Sequence, residues 1–278
     1  MTAAPYRGEV IAFATMHGKE RLARDAFHDV LGARVIAPAG LDTDAFGSFS
    51  GEVPRTQSPL DTARAKARLA LTRSNASAAL ASEGSFRSDF GWLTRHQELL
   101  VFVDDVRRIE LVEAFTGPVD LPPARAVTSG KRAVAFAEAM GFPRQGVMVH
   151  ADRAQGTEVA KELRTPTALA EHVDRLAREG ASLTITPDYR AHRSPARSEV
   201  IRRLCVRMAE RLATPCPACA TPGYGRTDVR RGLPCSDCGE PTELPLADVH
   251  GCASCDATHL VPRVPPLAEP RWCDGCNP

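Results

Sequence analysis

The sequence predicts an α/β domain over residues 1–213 followed by a small metal-organised domain over residues 214–278. Three observations predict it. Residues 9–37 read as strand, loop, helix, strand, and residues 58–85 as a capped helix followed by a strand. Eight of the nine cysteines fall after residue 215, in four Cys-x-x-Cys pairs. At 278 residues the chain is long enough to bury one sizeable core and carry an appendage.

Composition removes several classes of function. Charged residues make up 25%, hydrophobic residues 43%, and the net charge is +1, as expected of a globular protein with no dominant field for nucleic acid or membrane. No apolar run approaches the roughly 18 residues of a membrane span, and the N-terminus lacks a basic-then-apolar signal. A cytoplasmic protein without membrane contact is the expectation.

The first strand is the apolar run within Glu9–Ala14, ending in Thr15-Met16-His17-Gly18-Lys19-Glu20. Leu22, Ala23, Ala26, Phe27, Val30 and Leu31 follow at helical spacing, Gly32 supplies the stop, and Ala33–Ala37 reads as the next strand. The intervening loop places a hydroxyl, an imidazole and a lysine at a helix N-terminus. Unpaired N–H groups and the helix dipole there favour phosphate, so Thr15, His17 and Lys19 are candidate anion ligands. An ordinary connection with a solvated lysine has the same sequence.

Residues 38–57 form a long polar loop carrying Asp42, Asp44, Glu52 and Arg55, either a lid or a surface excursion. Ser58 then reads as N-cap, Pro59 as first helical residue and Asp61 as a first-turn acid. Leu60, Ala63, Ala67, Ala70 and Leu71 make the apolar stripe, with Lys66 on its flank. Ala78–Ala81 reads as a buried strand ending in Ser82-Glu83-Gly84-Ser85. A carboxylate at such a strand end suits a ligand or metal, which nominates Glu83 with Lys66 and Ser85.

Leu99–Val103 and Ile109–Phe115 read as a hairpin, with Asp104 and Asp105 as turn residues rather than metal ligands. Helices are expected over Ser129–Met140 and from Thr165-Pro166, strands over Val147–His150 and Leu183–Thr186. Ser194-Pro195 opens a last helix whose stripe, Ile201, Leu204, Cys205, Met208 and Leu212, makes Cys205 a core residue. Before it, Arg190, His192, Arg193 and Arg197 cluster, suited to a phosphate or a base, or to a solvated basic turn.

In the tail the pairs are Cys216/Cys219, Cys235/Cys238, Cys252/Cys255 and Cys273/Cys276. Two pairs close one tetrahedral Zn²⁺ site, so two structural zinc ions are expected. Sequential pairing is the default, and an alternating cross-brace uses the same ligands. Arg226, Arg230 and Arg231 would allow such a tail to dock on nucleic acid or protein.

Two resemblances follow. FGSFSGEVPRTQSPLDTARAKARLAL, ASEGSF, the Asp188–Arg197 segment and CPACATPGYG with its later knuckles resemble an uncharacterised bacterial family with a cysteine-rich zinc-ribbon end. Arg87 stands where that pattern has glycine, and Ser194 where it has asparagine. Over residues 9 to about 213 the motif order is also similar to the inosine/xanthosine triphosphate pyrophosphatases. FATMHGKE resembles their strand-end loop, SPLDTARAKARLA their lysine-bearing helix, ALASEGSF their acidic strand end, GFPRQGVMV their strand entry and AHRSPAR their base-contacting segment. That resemblance implies a mixed-sheet lobe hydrolysing a nucleotide or other phosphorylated small molecule with Mg²⁺. It implies Glu83 as metal-binding or catalytic acid, aided by Glu52 or Asp61, Lys66 as catalytic lysine, and His192 with Arg193 at the base. Arg55 and Lys19 would neutralise phosphate. A nucleotide-sensing module without catalysis is the alternative reading.

Overall fold

A computed structural model of the protein describes residues 5–47, 53, 56–89, 93–154 and 156–278. Glu52 and Arg55 lie outside the described residues.

A five-stranded mixed sheet forms the first layer. Strand β1 (Val10–Phe13) lies between β2 (Arg34–Ile36) and β3 (Ala78–Asp89), parallel to both; β4 (Leu93–Asp104) and β5 (Ile109–Val119) extend it antiparallel. Helix α1 (Arg21–Leu31) connects β1 to β2 and stops at Gly32, whose φ of 66° needs no Cβ to be accommodated. Helix α2 (Pro59–Thr72) returns to β3; its Ser58 side chain accepts from the Asp61 backbone N–H, as the sequence predicts.

The two faces of the sheet are covered separately. On one, α1 and the final helix of this region, α5 (Pro195–Leu212), bury Phe27, Leu31, Ile201, Leu204, Cys205 and Met208 against Ile11, Phe13, Leu80, Leu100 and Phe102. Burial pushes the Cys205 thiol up to about 12, in keeping with a core residue. On the other face, small residues of α2 (Ala63, Ala67, Ala70) meet Ala12, Ala79, Ala81 and Val101, which lets the helix approach closely.

A second, antiparallel sheet has the order β6 (Arg125–Ala126), β9 (Ser182–Pro187), β7 (Val147–Arg153), β8 (Gly156–Ala160). Helices α3 (Gly130–Ala139) and α4 (Pro166–Arg178) pack on it through Phe136, Leu169, Val173 and Leu176. The tail folds on its own small sheet, β10 (Gly225–Arg231), β11 (Pro245–Gly251) and β12 (Thr258–Pro262).

Asp104 is turn chemistry: its carboxylate accepts from the N–H groups of Val106 at 2.9 Å and Arg107 at 2.8 Å, and from the Tyr6 hydroxyl at 2.9 Å. The hairpin corrects the expectation of short strands. β3 does not end at Ser82–Ser85; its ladder with β4 continues to Asp89↔Leu93. Polar side chains in the outer half hid these residues from an apolar-run criterion, because their partners come from other segments. Strands β6 and β8 are short and polar, and no apolar run marks them in the sequence.

Candidate functional site

The loop after β1 rises from the C-terminal edge of the parallel strands, where open α/β sheets place ligands. Thr15 organises it: its Oγ1 accepts from the backbone N–H groups of His17 at 3.1 Å and Lys19 at 3.3 Å. Lys19 reaches across to β3, donating to Ser82 Oγ at 3.1 Å and to the Ser82 carbonyl at 3.4 Å. No carboxylate of a described residue lies within ion-pair distance of Lys19. Desolvation, followed by the positive charges of Arg197 and Lys66, lowers its ammonium to about 7 against the pull of Glu98 and Glu83.

Glu83 is buried at mid-strand in β3 and accepts from Lys66 Nζ at 2.7 Å. Lys66 sits within the buried face of α2, not on its flank, so the pair lies between helix and sheet. Asp61 does not join them. It is exposed in the first turn of α2, held by Ser58 Oγ at 2.6 Å and Arg64 at 3.1 Å. Ser85 lies two residues beyond Glu83 on the same strand face, partly exposed.

On the opposite face a buried network stands beside Lys19. Glu98 of β4 receives two bonds from the Arg197 guanidinium, at 2.9 and 3.0 Å, and pairs with His96 Nε2 at 2.8 Å. Burial opposes its charge, yet Arg197, His96 and Lys19 together hold the Glu98 carboxyl down at about 2. Gly84 makes the fork possible: a Cβ there would lie 2.2 Å from Glu98 Oε2 and 2.7 Å from Arg197 Nη2. Phe86 stacks between the His96 ring, centroids 4.2 Å apart, and Tyr189, 4.0 Å apart.

The predicted basic cluster is divided by the fold. Arg197, 2% exposed, serves Glu98 and the Tyr189 carbonyl. Arg190 pairs with Asp188 at 2.7 Å and Glu162 at 2.9 Å. Arg193 donates to the Leu163 carbonyl at 3.3 Å, with its Nε buried and without a hydrogen-bond partner among the described residues. His192 turns toward the β1 loop, its ring centroid 4.5 Å from that of His17. The structure thus brings Thr15, His17, Lys19 and His192 together beyond the end of β1, and sets Glu83 with Lys66 on the other face of β3.

Glu98 and His96 escaped the sequence reading. The signal was present: Thr94, His96, Glu98, Leu100 and Phe102 are buried at a strict period of two. Reading the strand only from its apolar half concealed the polar positions of the same face.

In the tail the cysteines form two tetrads, Cys216/Cys219/Cys252/Cys255 and Cys235/Cys238/Cys273/Cys276, with all sulfurs of each within 4.8 Å of one another. The pairing alternates along the chain, which corrects the sequential default. The β10–β11 hairpin makes the difference, because it folds the third knuckle back onto the first. Sulfur separations of 3.7 and 3.6 Å in one tetrad, 3.9 and 3.5 Å in the other, match the roughly 3.8 Å edge of a tetrahedral thiolate site with 2.3 Å metal–sulfur bonds. They are far from the 2.05 Å of a disulfide. Both tetrads therefore fit a tetrahedral metal ion.

A family model for a domain of unknown function, DUF6671, matches residues 66–278, from Lys66 through both tetrads. No curated protein matches the chain.

Proposed function

The chain belongs to the DUF6671 family, and on that premise we propose that its α/β domain, residues 1–213, binds and hydrolyses a nucleoside triphosphate or related phosphoanhydride, while residues 214–278 hold two structural Zn²⁺ ions. One observation carries the reading: Lys19 stands at the C-terminal edge of β1, bonded to the Ser82 hydroxyl and carbonyl and, among the described residues, to no carboxylate, near Arg197 and Lys66. An ammonium with no carboxylate in direct ion-pair contact is suited to phosphate oxygens. His17 and His192 flank the same edge and suit the base. The motif order shared with the inosine/xanthosine triphosphate pyrophosphatases supports this substrate class.

Mg²⁺ would neutralise phosphate charge and activate water. Among the described residues no second carboxylate completes a Mg²⁺ site around Glu83, and Lys66 already neutralises it. Glu83, released from Lys66 by an incoming phosphate, would act as the carboxylate that holds the ion or, as general base, takes the proton of the attacking water. The same ion pair favours a second reading, a nucleotide sensor without turnover whose output is the zinc domain. In that reading the tail docks on protein or nucleic acid. Arg226 is paired with Asp248 at 3.1 Å and Arg231 donates to the Glu243 carbonyl, leaving Arg230 as the most available cation of β10. Eight cysteines placed for metal rather than for disulfides fit a reducing compartment such as the cytoplasm. No described helix is long and apolar enough to cross a membrane.

The test is a Mg²⁺-dependent turnover assay of the zinc-loaded chain on normal and deaminated nucleoside triphosphates, with pyrophosphate and phosphate detected separately. Pyrophosphate release that is lost in Glu83→Gln, with nucleotide affinity retained, supports hydrolysis. Binding without release across the panel supports the sensor. Nucleotide affinity that Lys19→Gln leaves unchanged overturns both.

A further inference from the structure

A groove of about 1120 Å³ lies away from Lys19, between the outer ends of β4 and β5, the Leu121–Pro123 connection, β6 and α3. Leu93, Val119, Leu121, Val127 and Phe136 give it an apolar lining. We propose that this groove binds an extended peptide segment of a partner protein, carrying both apolar and acidic side chains, which adds as a strand to β6.

The backbone supplies the first argument. Strand β6 is the end strand of its sheet, paired on one side with β9 through Arg125↔Ile185 and Ala126↔Thr184. The Val127 N–H donates to the Leu183 carbonyl at 3.0 Å, which continues the ladder. Hydrogen-bonded and non-hydrogen-bonded pairs alternate in an antiparallel ladder. Arg125 and Val127 therefore turn their backbone groups to β9, and Ala126 turns its N–H and C=O to the open edge. Ala126 lines the groove, so that edge is presented inside it. An open edge of this kind is a template for an added strand.

Charge supplies the second. Arg125 and Arg132, both exposed, line the groove, and the Arg125 guanidinium lies 5.4 Å from the centre of the Phe136 ring. Neither arginine pairs with a carboxylate among the described residues. Asp120, the one acid among the lining residues, lies beyond ion-pair distance of both. Two unpaired guanidinium groups beside an apolar floor complement a ligand with carboxylates and aliphatic side chains. Size argues for a peptide, because small-molecule pockets run to about 300–1,000 Å³ and this groove is open as well as larger. The groove shares no residue with the surroundings of Lys19, and the proposal does not rest on the nucleotide reading.

The experiment uses the full zinc-loaded chain and fluorescein-labelled Val-Leu-Glu-Asp-Val-Leu-Glu-Asp, which presents apolar and acidic side chains on both strand faces. Fluorescence anisotropy is expected to show saturable binding that weakens as salt rises to about 1 M, where the screening length falls to about 3 Å. The same peptide with lysine at its four acidic positions should bind about tenfold more weakly or worse, and Arg125→Glu and Arg132→Glu should each weaken the acidic peptide by a similar factor. Peptides N-methylated at every second residue, made in both phases, test the ladder without altering the protein: at least one phase should lose binding. They also decide the matter should either arginine variant misfold. Absence of binding up to about 1 mM peptide, equal affinity for the lysine peptide, or indifference to both N-methylation phases would each overturn the proposal. So would sedimentation equilibrium showing a dimer that Arg125→Glu dissociates, since a second copy would then occupy the groove, or uptake of cis-parinarate there in place of the peptide.

Discussion

Replacing Arg197 with methionine isolates the energetics of the buried fork. Glu98 is fully buried, and Arg197 is its bidentate partner. Holding a carboxyl at about 2 rather than its ordinary 4.5 corresponds, at 1.36 kcal/mol per unit, to about 3 kcal/mol favouring the ionised form at neutral pH. Without Arg197 the desolvation of Glu98 is no longer outweighed, so the loss should reach about 3–5 kcal/mol. Its pH dependence has a definite sign. In the wild type the Glu98 contribution is complete above 4.5 and is lost as pH falls toward 2. In Arg197→Met, burial with less opposition moves the Glu98 carboxyl up, so the variant's folded state takes up a proton before its unfolded state does. Acidification therefore relieves the variant and not the wild type, and the stability gap should narrow between pH 7.5 and pH 5. Urea unfolding of the zinc-saturated proteins, followed by far-ultraviolet circular dichroism, reads both quantities. Arg197→Lys, which keeps the charge and loses the fork, should fall between the two. A loss under about 1 kcal/mol at pH 7.5, or a gap that does not narrow, would refute the assignment of Arg197 as the group that keeps Glu98 ionised.

The remaining predictions probe packing and metal topology. Gly84→Ala should cost about 1–3 kcal/mol or more in the same urea assay, because a Cβ would stand 2.2 Å from Glu98 Oε2 in a buried site with little room to yield; a neutral result would mean the fork is loosely held. For the tail, Cys219→Ser with Cys255→Ser should leave one zinc ion per chain, whereas Cys219→Ser with Cys238→Ser should leave none, as counted by native mass spectrometry. The reverse pattern would establish sequential pairing. Ala220 follows the first knuckle at φ of 60°, where Gly239 follows the second at 76°. Ala220→Gly should relieve the left-handed strain and raise stability by about 1 kcal/mol, seen as a higher thermal midpoint; a lower midpoint would show that the alanine methyl contributes more than the strain costs.

Much of the lobe was legible because its signals are local. Ser58, Pro59 and Asp61 announce α2 through hydrogen bonds made within one turn, and Gly32 stops α1 for the same kind of reason. The stripe Ile201, Leu204, Cys205, Met208 and Leu212 is buried as its periodicity requires. Four Cys-x-x-Cys pairs announce metal, since each pair bites a metal through its own short turn.

The outer half of the hairpin shows where local signals fail. Glu98, buried at the strand position opposite Gly84, is intelligible only once Arg197 arrives from a helix 99 residues away. The same holds for His17 and His192, and for Asp61, which the sequence grouped with Glu83 and the fold leaves on the exposed side of α2. Caps, periodicity and chelate spacing act within a few residues, and they reveal the α/β class, the helix starts, the core stripe and eight cysteines spaced to hold metal. Tertiary structure alone decided which polar groups meet across the sheet edge and which cysteine pairs share an ion. Those partners are tens of residues apart, and nothing in either partner's neighbourhood encodes the other's position.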